Sequence, residues 1–375
     1  MYINWEAPLF EFVIKKEDLL TPLLTVAGAV DKKQSLAILS HFLLKLSDSQ
    51  LFITATDLEI EISAQVICES NNSIGSITVP AKKFIDIIRS LDEQPTPKFI
   101  FDNGILTIKQ GRSSFKLTTL PADNYPSSED ECNDVELTLP RLDLLQLLQS
   151  THFAMSQQDV RVFLNGLLLE FEPNVISAVA TDGHRMAVCR YSCSNLVHNK
   201  LLLPKKGVQE LLRLLNCIPD EQVLLAAGKA HVKLITKQFV FLSKLIEARF
   251  PPYAKAIPRA QDKHILIDCA TLKRSLSRIV ILAHEKSKAV LLHLQSGQLT
   301  LIAHNNEQEE AVESLIAETD GDELKIGLNA TYLLDVLNHL GEGQIRLSMS
   351  NTDSSILIEA LENDSYQYII MPMKI

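Results

Sequence analysis

The stretch "VATDGHRMAV", residues 179–188, sets an acid, a glycine, an imidazole and a guanidinium side by side between two apolar runs. Asp182, His184 and Arg185 are the residue types of an acid/base centre, in which a histidine moves a proton beside a carboxylate and a fixed positive charge. Such a centre also needs an orienting partner and a nucleophile or a metal. The chain offers neither a nucleophile elbow nor a P-loop. Its six cysteines, Cys68, Cys132, Cys189, Cys193, Cys217 and Cys269, form no C-x-x-C pair and lack histidines at zinc-finger spacing. That pattern supports no metal, no cofactor and no disulfide framework, and fits reduced thiols in a cytoplasmic protein. The start "MYINWEAPLFEF" lacks a basic segment followed by a long apolar one, and no later run reaches the roughly 18 apolar residues of a membrane span. Neither export nor a membrane partner is expected.

The alternative to catalysis is that these polar residues make a hairpin tip, and the elements around them favour it. One order of elements recurs three times at a period of about 124 residues. The clearest copies are "VPAKKFIDIIRSL" (79–91), "LPKKGVQELLRLL" (203–215) and "IGLNATYLLDVLNHL" (326–340). Phe84, Ile87, Ile88 and Leu91 repeat at i, i+3, i+4 and i+7, as do Val208, Leu211, Leu212 and Leu215, and Leu333, Val336, Leu337 and Leu340. Each set predicts an amphipathic helix with one buried stripe. A strand–turn–strand run precedes each helix: "LFITATDLEIEISAQV", "VISAVATDGHRMAVCRY" and "QLTLIAHNNEQEEAVESL". Asp182, His184 and Arg185 therefore sit on a tip with two sister tips, "TDLE" and "HNNE", neither of which keeps the His-Arg pair. An earlier helix and a later strand pair complete every copy, about two helices and eight strands each. This is an α+β unit with helices over antiparallel sheets. Linkers are expected near 127–136 and 251–263, giving domains at 12–132, 137–252 and 253–375 after an N-terminal extension, 1–11.

The formal charge of −10 argues against a protein that holds nucleic acid by its overall field. The helical segments differ: across 15–33, 79–91, 137–151, 203–215, 270–283 and 326–340 there are 14 Lys or Arg and 7 Asp or Glu. Six basic helices along one surface would form a positive stripe suited to phosphates. No zinc finger, helix-turn-helix or dense Arg cluster accompanies it. Lysines such as Lys82, Lys83, Lys205 and Lys206 would touch backbone phosphates without reading bases. A chain this acidic would hold DNA weakly by charge, so retention would be geometric, by enclosing the duplex.

With these segments in view, the chain resembles the β subunit of bacterial DNA polymerase III, the sliding-clamp family. "TDLEIEI", "VPAKKFIDIIRSL", "QDVRVFLNG", "VATDGHRMAV", "KLIEARFPPY", "NNEQEEA" and "YIIMPMKI" occur in that family's order, from about Phe12 to Ile375. The resemblance implies three repeated DNA-clamp domains in a head-to-tail homodimer ring of pseudo-sixfold symmetry, helices inside and sheets outside. It implies a non-catalytic processivity factor that encircles double-stranded DNA. Its partners would be the DNA polymerase III alpha subunit, the clamp loader, other DNA polymerases and repair proteins, all bound through short linear motifs.

Carried over residue by residue, the resemblance places Leu164, Thr181, Gly183, His184, Arg185 and Met186 in a partner-peptide pocket. Pro251, Ala256, Ile257, Asn329 and Tyr332 join them, with Ile369, Met371, Pro372 and Met373 from the terminal segment. Adaptable methionines suit a pocket shared by many partners. Lys33, Lys82, Gln158, Arg161, Phe163, Lys205 and Lys206 would face DNA. At the dimer interface, Lys83, Arg112, Phe115 and Leu117 would meet Ile281, Leu282, Glu307, Glu309 and Glu310, a basic edge against an acidic one. The chain departs from the family pattern at Leu36-Ala37-Ile38-Leu39, where Leu-Pro-Ile-Leu is common, and at Val162, where an aromatic is expected. Lys374 also stands where arginine is common.

Overall fold

The structure, a computed structural model, describes residues 10–31, 36–70, 74–126, 134–194, 198–258, 261–320 and 322–374. The first module runs β1 (Phe10–Val13), α1 (Lys16–Val26), β2 (His41–Ser47), β3 (Gln50–Thr56), β4 (Ile60–Ile67), β5 (Glu69–Ser70), β6 (Gly75–Pro80), α2 (Ala81–Ser90), β7 (Lys98–Asp102), β8 (Ile105–Gln110) and β9 (Ser113–Thr118). The second runs β10 (Val135–Pro140), α3 (Arg141–Gln149), β11 (Gly166–Glu172), β12 (Val175–Thr181), β13 (Arg185–Ser192), β14 (Asn199–Pro204), α4 (Lys205–Cys217), β15 (Gln222–Ala227), β16 (His231–Ile235) and β17 (Phe239–Lys244). The third runs β18 (Lys263–Asp268), α5 (Cys269–Ile279), β19 (Ala289–Gln295), β20 (Gln298–His304), β21 (Glu310–Ile316), β22 (Glu318–Asp320), β23 (Leu324–Asn329), α6 (Ala330–Leu340), β24 (Gln344–Met349), β25 (Ile356–Ala360) and β26 (Tyr366–Ile370). The threefold plan of two helices among antiparallel strands is thus present in every copy.

Local chemistry sets the helix ends. Asp268 caps α5 by accepting from the Thr271 amide at 2.8 Å, and Asn329 caps α6 by accepting from Thr331 N at 2.9 Å. Gly341, at φ 75°, ends α6 in a conformation that costs glycine little. The buried stripes are wider than a strict i, i+3, i+4, i+7 spacing. Ile85 joins Phe84 and Ile88 in the core, Leu214 joins Val208, Leu211 and Leu215, and Leu91 is buried one residue beyond α2. Ile87 and Leu212 are only half-buried, because a helix against a sheet buries a face rather than a seam.

Contacts group the chain into two compact units, not three: residues 1–142 with 209–245, and residues 143–208 with 246–375. Strand pairing across module borders is the reason. In the first unit β17 pairs with β4, Phe239 opposite Ala64 and Ser243 opposite Ile60, making an eight-stranded sheet β10-β15-β16-β17-β4-β3-β2-β6. In the second, β13 pairs with β26, Arg185 opposite Ile370 and Cys189 opposite Tyr366, making a nine-stranded sheet β14-β11-β12-β13-β26-β25-β24-β18-β22. The module of sequence and the unit of packing therefore differ. The linker expected at 127–136 lies mostly outside the described residues.

All four sheets of the described residues are open, and β9 and β21 are among their edge strands. The five-stranded sheet β5-β1-β7-β8-β9 ends on β9, and the four-stranded sheet β21-β20-β19-β23 ends on β21.

Candidate functional site

The hairpin β12–β13 turns on its own side chains. Asp182 Oδ1 accepts from the amides of His184 and Arg185, both at 2.9 Å. Thr181 Oγ1 donates to Arg185 O at 2.6 Å and accepts from Gly183 N at 3.1 Å. Gly183, at φ 89°, takes the left-handed position. Asp182 is thereby committed to an Asx turn, the ordinary work of an aspartate at a tip. The sister tip is built alike: Asp57 Oδ1 accepts from Glu59 N at 3.0 Å and Ile60 N at 2.9 Å, and Thr56 Oγ1 donates to Ile60 O at 2.8 Å.

Arg185 is committed too. Its Nε donates to Asp182 Oδ2 at 3.1 Å, Nη1 to Asp335 Oδ2 at 2.5 Å and Nη2 to Phe153 O at 2.6 Å. Its guanidinium lies 4.5 Å from the Tyr332 ring centroid and 5.3 Å from that of Phe153. With 11% of its side chain exposed, it fastens the tip to α6 instead of reaching outward. The acid and the cation that suggested catalysis are thus structural, and His184 is left exposed at the turn.

Beside the tip lies a cavity of about 390 Å³. Leu164, Thr181, Gly183, His184, Arg185, Met186, Pro251, Ala256, Ile369 and Met371 all line it, so ten residues assigned to the pocket from sequence come together. Its floor is a buried cluster of Leu168, Val179, Met186, Val188, Leu202, Leu357 and Ile369, against which Phe163, Phe250, Tyr253 and Ile257 pack. Met371 N donates to His184 O at 2.8 Å, carrying the β13–β26 pairing one residue into the terminal segment. The walls are apolar, with a few polar groups at the rim.

Other assigned residues sit elsewhere. Tyr332 acts on the tip through Arg185. Asn329 caps α6 and donates Nδ2 to Ser287 O at 3.2 Å. Met373 lines a second cavity, of about 230 Å³, with His284, Ser287, His304 and Lys374. Its amide donates to Gly327 O at 2.9 Å. Pro372, between the two methionines, is half-buried.

The residues expected to face DNA divide. Lys82, Gln158 and Lys206 are exposed, and Lys33 lies outside the described residues. Lys205 is half-buried at the start of α4, where burial and then the nearby Arg185 lower its ammonium from the ordinary value. Arg161 and Phe163 line the cavity instead. Asp159 holds Arg161 in a fork, Nε at 3.0 Å and Nη2 at 2.9 Å, and that bond draws the Asp159 carboxyl down to about 2. Phe250, Pro252, Tyr253 and Ser355 also line the cavity and were not singled out. The aromatic and proline residues of "RFPPY" were the available signal.

The expectation of six basic helices needs correction. α3 holds one arginine and one aspartate, and α6 an aspartate with no lysine or arginine. Arg141 is spent on the end of α4, donating Nη1 to Leu215 O at 2.7 Å and Nε to Asp220 O at 3.0 Å. Arg213 and Arg278 are paired with Glu210 and Glu313. Among the described residues of these segments the exposed basic side chains are Lys15, Lys82, Lys83, Arg89, Lys206, Arg274 and Arg278, so positive charge is not spread evenly over all six.

Among residues assigned to the dimer interface, Lys83, Arg112, Glu307, Glu309 and Glu310 are exposed, and Phe115 and Leu282 are half-buried. Ile281 is 75% exposed. Leu117 is 7% exposed and, with Phe115, lies on the inward face of the β9 pleat. Among the described residues no group of His, Cys, Asp and Glu could hold a metal ion, and no helix is long and apolar enough to cross a membrane.

Repeated helix-and-sheet modules, joined strand to strand and carrying an apolar cavity beside one joint, define a modular repeat protein. Residues 10–129, 138–252 and 254–374 match, in turn, the N-terminal, central and C-terminal domains of the DNA polymerase III beta subunit. The chain belongs to that family. The beta sliding clamp of Proteus mirabilis is 40% identical over 366 residues, 97% of this chain and 100% of the relative. That of Escherichia coli is 39% identical over the same shares. A crystal structure of the DNA polymerase III subunit beta from Pseudomonas aeruginosa superimposes with a TM-score of 0.94 at 39% identity, covering 97% of this chain and 100% of the other. A sliding clamp from the same organism, bound to griselimycin, also gives 0.94, at 40% identity, 98% and 100%.

Proposed function

We propose that this chain is a replicative sliding clamp. Two copies join head to tail around double-stranded DNA, without catalysis, and the cavity beside residues 181–186 receives short linear motifs of DNA polymerases, clamp loader and repair proteins.

The observation that carries this reading is the repeated joint. β4, β13 and β21 are the equivalent fourth strands of the three modules, and β17, β26 and β9 are the equivalent last ones. Two of the three possible joints are made within the chain, β4 with β17 and β13 with β26. The partners left over are β21 and β9, both edges. Both joints share one register in repeat terms, since Ala64 and Cys189 are equivalent and stand opposite Phe239 and Tyr366, which are also equivalent. The same rule between two chains sets Ser113 opposite Glu313, Phe115 opposite Ala311 and Lys116 opposite Glu310.

Side-chain chemistry supports the extrapolation. Val312 and Ile316 on β21 are 56% and 95% exposed, apolar residues that an edge strand keeps in water only at the risk of aggregation unless a partner covers them. Lys116 on one edge would meet Glu310 and lie near Glu309 on the other. A heterologous contact of this kind makes either a closed ring or a filament, and a discrete dimer marks closure. The exposed lysines give sequence-independent phosphate contacts, while the acidic remainder disfavours tight ionic binding.

Light scattering tests the joint: the expected mass is twice 41.9 kDa. Lys116→Glu shifts the protein toward monomer, and Lys116→Glu with Glu310→Lys restores the dimer. A charge swap that fails to restore it refutes the register. Once loaded on a circular duplex, the protein is expected to survive high salt and to leave when the circle is cut; loss from intact circles in salt refutes enclosure.

A further inference from the structure

Glu170, on β11, is 6% exposed, and a carboxylate so placed persists only where its oxygens are satisfied. Oε2 accepts from the Tyr253 phenol at 2.6 Å, and Oε1 faces the Lys200 ammonium at 2.5 Å. Lys200 stands directly opposite on β14. Burial works to raise the Glu170 carboxyl, but the bonds from Lys200 and Tyr253 prevail and hold it below the ordinary value. Burial, then Glu170 itself, pushes the Tyr253 phenol well above its usual range.

Tyr253 belongs to the segment that forms one wall of the cavity. Its ring lies edge-on to Phe250 at 6.5 Å, and Phe250 lies edge-on to Phe163 at 6.2 Å. Pro251 and Pro252 have no N–H to donate. The turn's amides bond within it, Lys255 N to Pro252 O at 3.2 Å and Ala256 N to Tyr253 O at 2.9 Å. The phenol thus ties a self-contained turn to the rigid sheet by donating to Glu170, which does not itself line the cavity.

We infer that Glu170 is a positioning residue for the partner-peptide cavity, setting its wall through Tyr253. The inference rests on the reading of the cavity as a peptide site. A charged hydrogen bond added to the apolar packing of Phe250, Tyr253 and Ile257 turns a loop into a preformed surface, so its loss appears as weaker binding by an otherwise folded protein.

The test uses the full-length protein with a DNA polymerase III alpha subunit as the probe. Glu170→Leu removes the acceptor, Tyr253→Phe removes the donor, and Glu170→Gln keeps a carbonyl that can accept from the phenol. Each of the first two is expected to weaken binding about tenfold, the double variant no more than either alone, and Glu170→Gln less than about twofold. Hydrogen exchange on the free protein reads the wall without any ligand: amides of 250–257 exchange faster in Glu170→Leu and Tyr253→Phe and as in the parent in Glu170→Gln. Unchanged exchange in Glu170→Leu, or losses of affinity that multiply in the double variant, overturns the inference. So does a Glu170→Leu protein that binds as tightly as the parent. If the parent does not bind the alpha subunit, the peptide-site reading fails, and the exchange data alone decide whether Glu170 positions the wall.

Discussion

The joints β4–β17 and β13–β26 are built from equivalent strands in equivalent register, yet the cavity of about 390 Å³ lies beside the tip of the second. Both tips use a Thr-Asp turn with the same hydrogen bonds, so the backbone does not separate them. At the first tip the third and fifth residues are Leu58 and Ile60, and Ile60 is 2% exposed, closing the tip with its own apolar bulk. At the second tip they are Gly183 and Arg185. The glycine adds no volume next to Arg161, and the arginine is drawn aside to Asp335 and the Phe153 carbonyl.

The helix facing each tip repeats the contrast. Glu210 of α4 pairs with Arg213 on its own helix, whose Nη2 donates to Thr25 O at 2.6 Å, and the carboxylate fills the space over Gly28. Asp335, at the equivalent place on α6, reaches the hairpin itself, and Phe153 stands where Gly28 stands. A duplicated architecture can therefore be sealed in one copy and hollow in another through a handful of side chains. The exposed backbone pairing, which is what repeats, is indifferent to the choice.

The sharpest way to break the comparison is Arg185→Ala, which strands Asp182 and Asp335 and removes the stacking between Phe153 and Tyr332. A loss of about 3 kcal/mol is expected in chemical denaturation, with binding of a polymerase alpha subunit abolished. Its counterpart at the sealed joint, Arg213→Ala, leaves Glu210 without its cation. The guanidinium there is 38% exposed, so solvent screens the pair, and about 1 kcal/mol is expected with partner binding unchanged. Equal losses from the two variants would mean that the joints are mechanically alike. A comparably small effect on folding comes from Gly183→Leu, which writes the first tip's residue into the second. Leu58 itself adopts φ 73°, so the turn accepts a leucine there. A cost of about 1 kcal/mol is expected, with partner binding at least about tenfold weaker as the added side chain meets Arg161. Retained binding would show that the cavity is not where partners dock.

Much of this was legible in the residues alone, and the reason differs between parts. The tips were legible because Thr-Asp and Asn chemistry is local: Asp57, Asp182 and Asn305 bond amides two to four residues away. The helix stripes were legible from spacing, though Ile85 and Leu214 were missed because a sheet covers more of a helix than a strict stripe allows. Arg161 and Phe163 were placed with the DNA-facing residues because a basic and an aromatic residue near a tip fit either surface. Only folding shows that Asp159 fixes one and Phe250 the other in the cavity wall.

The sequence by itself determined the triplicated α+β plan, the turn chemistry of its tips and the family, since all three depend on periodic spacing or on bonds between near neighbours. The tertiary structure decided which joint is hollow, which charges are spent within the chain and which buried carboxylate steadies the wall. Those outcomes turn on pairs such as Arg185 with Asp335, 150 residues apart, and Glu170 with Tyr253, 83 apart. No periodicity links such positions, and their energy is realised only when burial removes the competing water.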